Sequence, residues 1–353
     1  MKTFDYQRAN SVDDAIKIAT LTEGHLAAEG QLAEAQRPFF IAGGTNLLDL
    51  MKLEIEQPTQ LIDISRLPLN TIEATPEGGL KIGAMVSNSE LAAHPVIRQD
   101  YAVLARALLS GASPQLRNKA STGGNLLQRT RCYYFYQPDS PCNKREPNSG
   151  CGAKAGLHQN LAILGTSEQC IATHPSDMAV AMRLLDAVIV IQQADGQTRQ
   201  VPIAEFYRLP EQTPHIETCL NLGDLITHII LPPPLKGVHS YDKVRDRASY
   251  AFALVSVAAV IEHDNDTLIN VRLAFGGIGS QPWRNEEIEK ILIGSTGDAV
   301  SIELAVATLF KEAKTDEQTE YKTVLVQRLL HHVVQRALQQ PNQSSPLSSG
   351  VSA

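Results

Sequence analysis

No stretch of the chain is apolar for long enough to cross a bilayer. The longest apolar run, AFALVSVAAVI at 251–261, has eleven residues, which suits a core element better than a membrane span. The N-terminus, MKTFDYQRANSVDD, lacks the apolar segment of a secretory signal, so no export signal of its own is expected. Basic charge is not in excess: 31 Lys and Arg face 38 Asp and Glu, and the net charge is −7. That balance argues against a large nucleic-acid surface, and the basic cluster KVRDR at 243–247 is local. The dinucleotide fingerprint GxGxxG is absent. So are any Ser/His/Asp or Cys/His constellation for nucleophilic catalysis and any internal repeat. Cysteine is scarce at five, an odd number that fits poorly with a disulfide framework.

What the chain does contain is enough for two or three domains: 353 residues, 43% hydrophobic and 20% charged. TFDYQR at 3–8 reads as a strand, and Ser11 caps a helix with Asp13 and Asp14 in its first turn. The Ala-, Glu- and Gln-rich stretch 19–37 reads as a helix extension or a loop excursion. FFIA is a buried-strand signal, ended by Gly43 and Gly44, and Thr45 or Asn46 can cap the helical turn NLLDLMK. Strand, double glycine, small polar cap and helix together present backbone N–H groups to an anion. LIDIS at 61–65, TIEA at 71–74 and LKIGAMV at 80–86 read as strands. A helix capped by Ser87 follows, then an amphipathic helix over 100–112 that stops at Gly111. A second double glycine, Gly123 and Gly124, sits among Ser121, Thr122 and Asn125. Two such turns matter more than one, because a diphosphate needs several converging donors.

Further on, Ser176 caps a helix, and AVIVIQQADGQTRQVPI reads as a hairpin turning at Asp195 and Gly196. LITHIILPPP at 225–234 is a strand closed by three prolines, the expected domain boundary. The last portion, with HSYDKVRD, AFALVSVAAVI and TLINVRLAFGGIG, reads as alternating strand and helix, with helices from Glu286 and over 301–339. The Ser/Pro-rich tail is expected to be disordered.

Four of the five cysteines, Cys132, Cys142, Cys151 and Cys170, fall within 39 residues, separated by nine, eight and eighteen positions. Zinc sites usually pair ligands two to four residues apart, and no gap here is that short. An iron–sulfur cluster accepts wider spacing on a folded scaffold and ranks first; zinc comes second and free buried thiols third. Cys219 reads as an ordinary thiol.

FIAGGTNLLDLMK, STGGNLLQ, HPSDMAVAM and KVRDRASYAFALVSVAA, in this order, resemble the FAD-binding subunit of molybdenum hydroxylases, the xanthine dehydrogenase and carbon monoxide dehydrogenase group. The resemblance runs to about residue 338. The cysteine block brings it nearest to the FAD and [4Fe-4S] subunits of bacterial periplasmic aldehyde oxidoreductases, with the medium subunit of 4-hydroxybenzoyl-CoA reductase next. The resemblance implies an α+β protein. A two-lobed FAD-binding domain of the vanillyl-alcohol oxidase (PCMH) type would occupy 1–233, with lobes about 1–58 and 59–233. It would contain an iron–sulfur insertion at 126–172. A smaller α/β C-terminal domain of the CO dehydrogenase flavoprotein type would span 234–340, leaving 341–353 as tail.

The resemblance also implies a residue set. The first FAD loop would be Phe39, Phe40, Ile41, Ala42, Gly43, Gly44, Thr45, Asn46 and Leu47; the second would use Ser121, Gly124 and Asn125. Asp177, beside Ser176, would bond the FAD, and Ile226 and Lys243 would lie beside its isoalloxazine ring. Cys132, Cys142, Cys151 and Cys170 would hold the [4Fe-4S] cluster. No catalytic acid, base or nucleophile is expected. The chain would pass electrons from the [2Fe-2S] clusters of a small subunit through FAD to an external acceptor, while a large molybdenum-cofactor subunit oxidises the substrate. It would be assembled in the cytoplasm and could reach the periplasm on a partner's twin-arginine signal. A self-contained flavin oxidase and a zinc-braced interaction module are the rival expectations.

Overall fold

The computed structural model describes residues 1–28 and 37–342. The N-terminal strands β1 (Asp5–Arg8), β2 (Phe39–Ile41) and β3 (Gln60–Asp63) form a parallel sheet with β3 in the middle. Tyr6 stands opposite Leu61, and Phe40 opposite Ile62. Ser11 caps the helix Val12–Ala28, its Oγ accepting the Asp14 N–H at 3.0 Å. Ala15, Ile16 and Ala19 of that helix bury against Ile62 and Ile64. The first sheet therefore takes in β3, which lies beyond the expected lobe boundary at 58. Only β3 supplies the central partner that β1 and β2 both need for their backbone groups.

The second lobe is a five-stranded antiparallel sheet of β4 (Ile72–Ala74), β5 (Leu80–Gly83), β6 (Val188–Gln192), β7 (Thr198–Pro202) and β8 (Leu225–Leu231). Its order is β4-β5-β8-β6-β7, with β6 and β7 joined as the expected hairpin. Alternating residues Ile82, Ile189, Ile191, Ile229 and Leu231 turn one apolar face onto the helices Ala102–Ser110 and Asp177–Leu184. The helix expected over 100–112 runs from Ala102 to Ser110 and stops at Gly111, and a further short helix, Pro95–Asp100, precedes it. Tyr101 separates the two: its ring is buried, and its hydroxyl donates to the Pro232 carbonyl at 2.7 Å.

Residues 126–172 are inserted between these elements with little regular structure. Two short helices, Tyr133–Tyr136 and Gly152–Ala155, and two isolated bridges, Cys142 to Cys151 and Leu164 to Gly279, are their regular features. The C-terminal part begins with an antiparallel meander, β9 (Val238–Val244), β10 (Val255–Asp264) and β11 (Thr267–Gly276). The turn Asn265–Asp266 is too short for a crossover, and Asn265 takes φ 49° there. Strands and helices are thus segregated, and Glu286–Leu292, Ala299–Leu309 and Tyr321–Leu338 pack together with the sheet around one core. The helical reading of 19–37 holds to Ala28, while 29–36 and the tail from 343 onward lie outside the described residues. Among the described residues no helix is long and apolar enough to cross a membrane.

Candidate cofactor site

The two glycine turns are built by different local devices. After β2 the chain passes Gly43 and reaches Gly44 at φ +70°, a left-handed conformation that costs any Cβ-bearing residue. The helix Leu47–Lys52 follows, with Asn46 at its N-cap position; its amide makes no cap bond and is used elsewhere. At the second turn Ser121 does cap, its Oγ accepting the Gly124 N–H at 3.2 Å at the start of Thr122–Leu126. The turns touch backbone to backbone. A Cβ built on Gly43 falls on the Lys119 carbonyl oxygen and lies 2.7 Å from its carbon. A Cβ on Gly123 would meet that of Ala84 at 3.0 Å.

Between and beside them lies a cleft of about 570 Å³, within the range of small-molecule and cofactor sites. Every expected residue of the first loop lines it: Phe39, Phe40, Ile41, Ala42, Gly43, Gly44, Thr45, Asn46 and Leu47. Ser121, Gly124 and Ile226 do so too. Four expected residues stand outside the wall. Asn125 Oδ1 accepts the Ser176 hydroxyl at 2.6 Å, joining the second turn to the N-cap of Asp177–Leu184. Asp177 and Lys243 hold each other: Lys243 Nζ donates to Asp177 Oδ2 at 2.8 Å, with side chains 9% and 3% exposed respectively. The Tyr241 hydroxyl donates to Asp177 Oδ1 at 2.5 Å, and burial together with that carboxylate pushes the phenol well up. Lys243 also donates to the Ser110 carbonyl at 3.1 Å. The carboxylate expected to meet cofactor hydroxyls and the lysine expected at the flavin ring are thus already engaged, as a buried pair bridging the second lobe and β9.

The structure adds a charged group that no sequence pattern marked. Arg129 enters the cleft wall between Glu56 and Glu217, forming an ion pair with each, and Lys144 Nζ bonds Glu217 at 2.7 Å. Burial pushes the Glu217 carboxyl up, but Arg129 and Lys144 bring it below its ordinary value. His174 also lines the cleft. Its Nδ1 accepts the Ser176 N–H at 3.3 Å, and burial pushes its pKa down to about 3, so the ring is neutral. Its ring meets Tyr207 edge-on at 4.5 Å. Cys219, half-buried, lines the cleft as well.

Cys132, Cys142, Cys151 and Cys170 line one small void of about 10 Å³, floored by Phe135 and Ala153. Cys170 and Lys144 belong to the walls of both the void and the cleft. Arg145 ties the loop by donating to the Tyr134, Phe135 and Pro138 carbonyls at 2.8, 2.9 and 3.0 Å. Burial pushes the Cys132 thiol up and takes that of Cys170 to about 11. The described residues contain no group of three or more Cys, His, Asp or Glu in a geometry that holds a metal ion. The four cysteines share one space.

Comparison with known proteins places this architecture. Residues 2–234 match the FAD binding domain in molybdopterin dehydrogenase, and 239–337 match the CO dehydrogenase flavoprotein C-terminal domain. The chain belongs to the FAD-binding subunit family of the molybdopterin dehydrogenases, a family of oxidoreductase subunits. It is 52% identical over 337 residues to the aldehyde oxidoreductase FAD-binding subunit PaoB of Escherichia coli, covering 96% of this chain and 99% of that one. It is 27% identical over 292 residues to the glyceraldehyde dehydrogenase medium chain of Sulfolobus acidocaldarius, covering 82% and 81%. A solved carbon monoxide dehydrogenase from Oligotropha carboxidovorans superposes with a TM-score of 0.71 at 22% identity, over 96% of this chain and 99% of that one.

Proposed function

We propose that the chain is the FAD- and [4Fe-4S]-carrying electron-transfer subunit of a molybdenum-dependent aldehyde oxidoreductase. The observation that carries this reading is the cleft built on two touching glycine turns in a chain 52% identical to an aldehyde oxidoreductase subunit. FAD bound there would accept electrons and release them to an external acceptor, the chemistry a flavin supplies. The chain's own part is to hold it. N–H groups at Gly43 and Gly44 suit the diphosphate, Ser121 lines the cleft beside them, and the lack of Cβ atoms lets the backbone approach it. Phe39, Phe40, Ile41, Leu47 and Ile226 supply apolar wall to the cleft.

The four cysteines suit a cluster by donor type: four thiols, no competing ligand in the void, and cationic Lys144 at its rim. Zinc would draw four sulfurs to within about 3.8 Å of one another, given Zn–S bonds of about 2.3 Å, tighter than a four-iron cluster requires. The partners in this reading are a large molybdenum-cofactor subunit, which oxidises the aldehyde, and a small [2Fe-2S] subunit. In this reading the complex is exported to the periplasm on a partner's twin-arginine signal.

The visible spectrum and metal content of the purified full chain test the reading. Flavin bands on a broad brown absorption, with about four irons and no zinc, are expected. Flavin without iron, with alcohol oxidation by the chain alone, would instead make it a self-contained oxidase. A colourless zinc protein would make it an interaction module.

A further inference from the structure

The first glycine turn is held in place by the cysteine block. The Asn46 amide, free of capping duty, is gripped at both ends by residues of that block. The Arg129 backbone N–H donates to Asn46 Oδ1 at 2.9 Å, and Asn46 Nδ2 donates to the Tyr136 hydroxyl at 3.4 Å. Tyr136 lies four residues after Cys132, in the short helix whose Phe135 floors the cysteine void. The Arg129 guanidinium packs 4.9 Å over the Phe135 ring and pairs with Glu56 and Glu217 in the cleft wall. Lys144, between Cys142 and Cys151, bonds Glu217 at 2.7 Å and the Pro214 carbonyl at 2.9 Å. Asn46, Glu56 and Glu217 of the cleft are thus held by Arg129 and Tyr136, the chain neighbours of Thr130 and Phe135 in the wall of the cysteine void, and by Lys144, which lines it.

We propose that Arg129 and Tyr136 are positioning residues that couple the cysteine site to the FAD cleft, so that filling the cysteine site slows release of FAD. The inference rests on the reading of FAD in the cleft and a cluster at the cysteines. Its physical basis is linkage: if one site orders the loop that the second site needs, each stabilises the other by the same factor. Without metal the cysteine loop has only a small void to pack around. Tyr136 and Arg129 then hold Asn46 less firmly, and the donors at Gly43 and Gly44 lose register.

The test measures FAD release from the full chain by recovery of free-flavin fluorescence, with iron loaded and after stripping by oxidant and chelator. Stripping the wild type is expected to speed release about threefold to tenfold, the effect of losing one ordinary hydrogen bond. Tyr136→Phe removes only the hydroxyl and keeps every cysteine. Its iron-loaded form should release FAD as fast as the stripped wild type, and stripping should add little. Arg129→Met keeps the backbone bond to Asn46 but removes both ion pairs, so it should erase only part of the iron dependence, and Arg129→Lys, which keeps a cation for Glu56 and Glu217, should restore it. A merely structural role would lower stability in these variants without erasing the iron dependence. Wild-type release that is indifferent to iron overturns the coupling alone. A chain that holds FAD but never takes up iron overturns the cluster reading, and the coupling with it.

Discussion

Replacing Gly43 by alanine probes whether the touching turns make the cofactor site. The added methyl would fall on the Lys119 carbonyl, 2.7 Å from its carbon and 3.3 Å from the Ala120 nitrogen. All are backbone atoms, so no side chain can swing away. Lys119 ends the helix Pro114–Lys119, and Ala120 leads directly into the capping Ser121. Ordinary Cβ contacts begin above 3 Å, so the turns must part by an ångström or more. Forcing apart packed backbone costs about 1–3 kcal/mol, and the upper end applies where nothing flexible can yield. Gly44→Ala is the comparison: its neighbours are Leu48 and Ile41 side-chain atoms at 3.0–3.4 Å, and its main cost, about 1 kcal/mol, comes from the +70° φ. Urea unfolding of both variants, with FAD content measured alongside, tests the reasoning. Gly43→Ala should lose about 3 kcal/mol and most of its FAD; Gly44→Ala should lose about a third of that stability. A Gly43→Ala protein that unfolds at the wild-type midpoint and keeps its FAD would refute the argument.

Other perturbations have equally definite outcomes. Lys243→Met leaves Asp177 buried without its cation, and chemical denaturation should show a loss of about 3–5 kcal/mol, larger than for the double replacement Asp177→Asn/Lys243→Met. At Asp63, burial raises the carboxyl, but bonds from Tyr6, Ser65 and Arg8 bring it down to about 2. Its folded value lies below its unfolded one, so its stabilisation holds above about pH 4 and fades as pH falls toward 2. Acid unfolding of Asp63→Asn should lack that component. His158 Nδ1 faces the Gly156 carbonyl at 2.8 Å, and Nε2 faces Asp316 at 2.5 Å, joining the cysteine block to the C-terminal domain. Burial lowers its pKa, but Asp316 and the carbonyl raise it above the ordinary value. This stabilisation is therefore full below about pH 6.5 and lost as pH rises through the folded value. The stability gap between wild type and His158→Gln should narrow from pH 6 to pH 9.

Local signals in the sequence were enough to locate the glycine turns, the Ser11, Ser87 and Ser176 caps, and the hairpin at Asp195 and Gly196, because each depends on neighbouring residues. What escaped was set by distant contacts. Nothing near Gly43 announces Lys119 as its neighbour, and nothing near Arg129 points to Glu56 or Glu217. Asn46 has the composition of a cap, yet its amide is claimed by Arg129 and Tyr136. Tyr101, at the start of the helix Ala102–Ser110, anchors its hydroxyl on the Pro232 carbonyl, far along the chain. Asp177 and Lys243 were both singled out, but a residue-by-residue resemblance could not reveal that they would pair. The first lobe extends past residue 58 for a similar reason, since the central place of β3 emerges only from strand pairing.

The most direct test of the account is titration of the flavin-free full chain with FAD, followed by flavin fluorescence, for wild type and Gly43→Ala. The account predicts one FAD per wild-type chain, bound tightly, and binding weakened at least tenfold in Gly43→Ala, whose turns are forced apart. No binding by the wild type, or equal binding by both proteins, would contradict it.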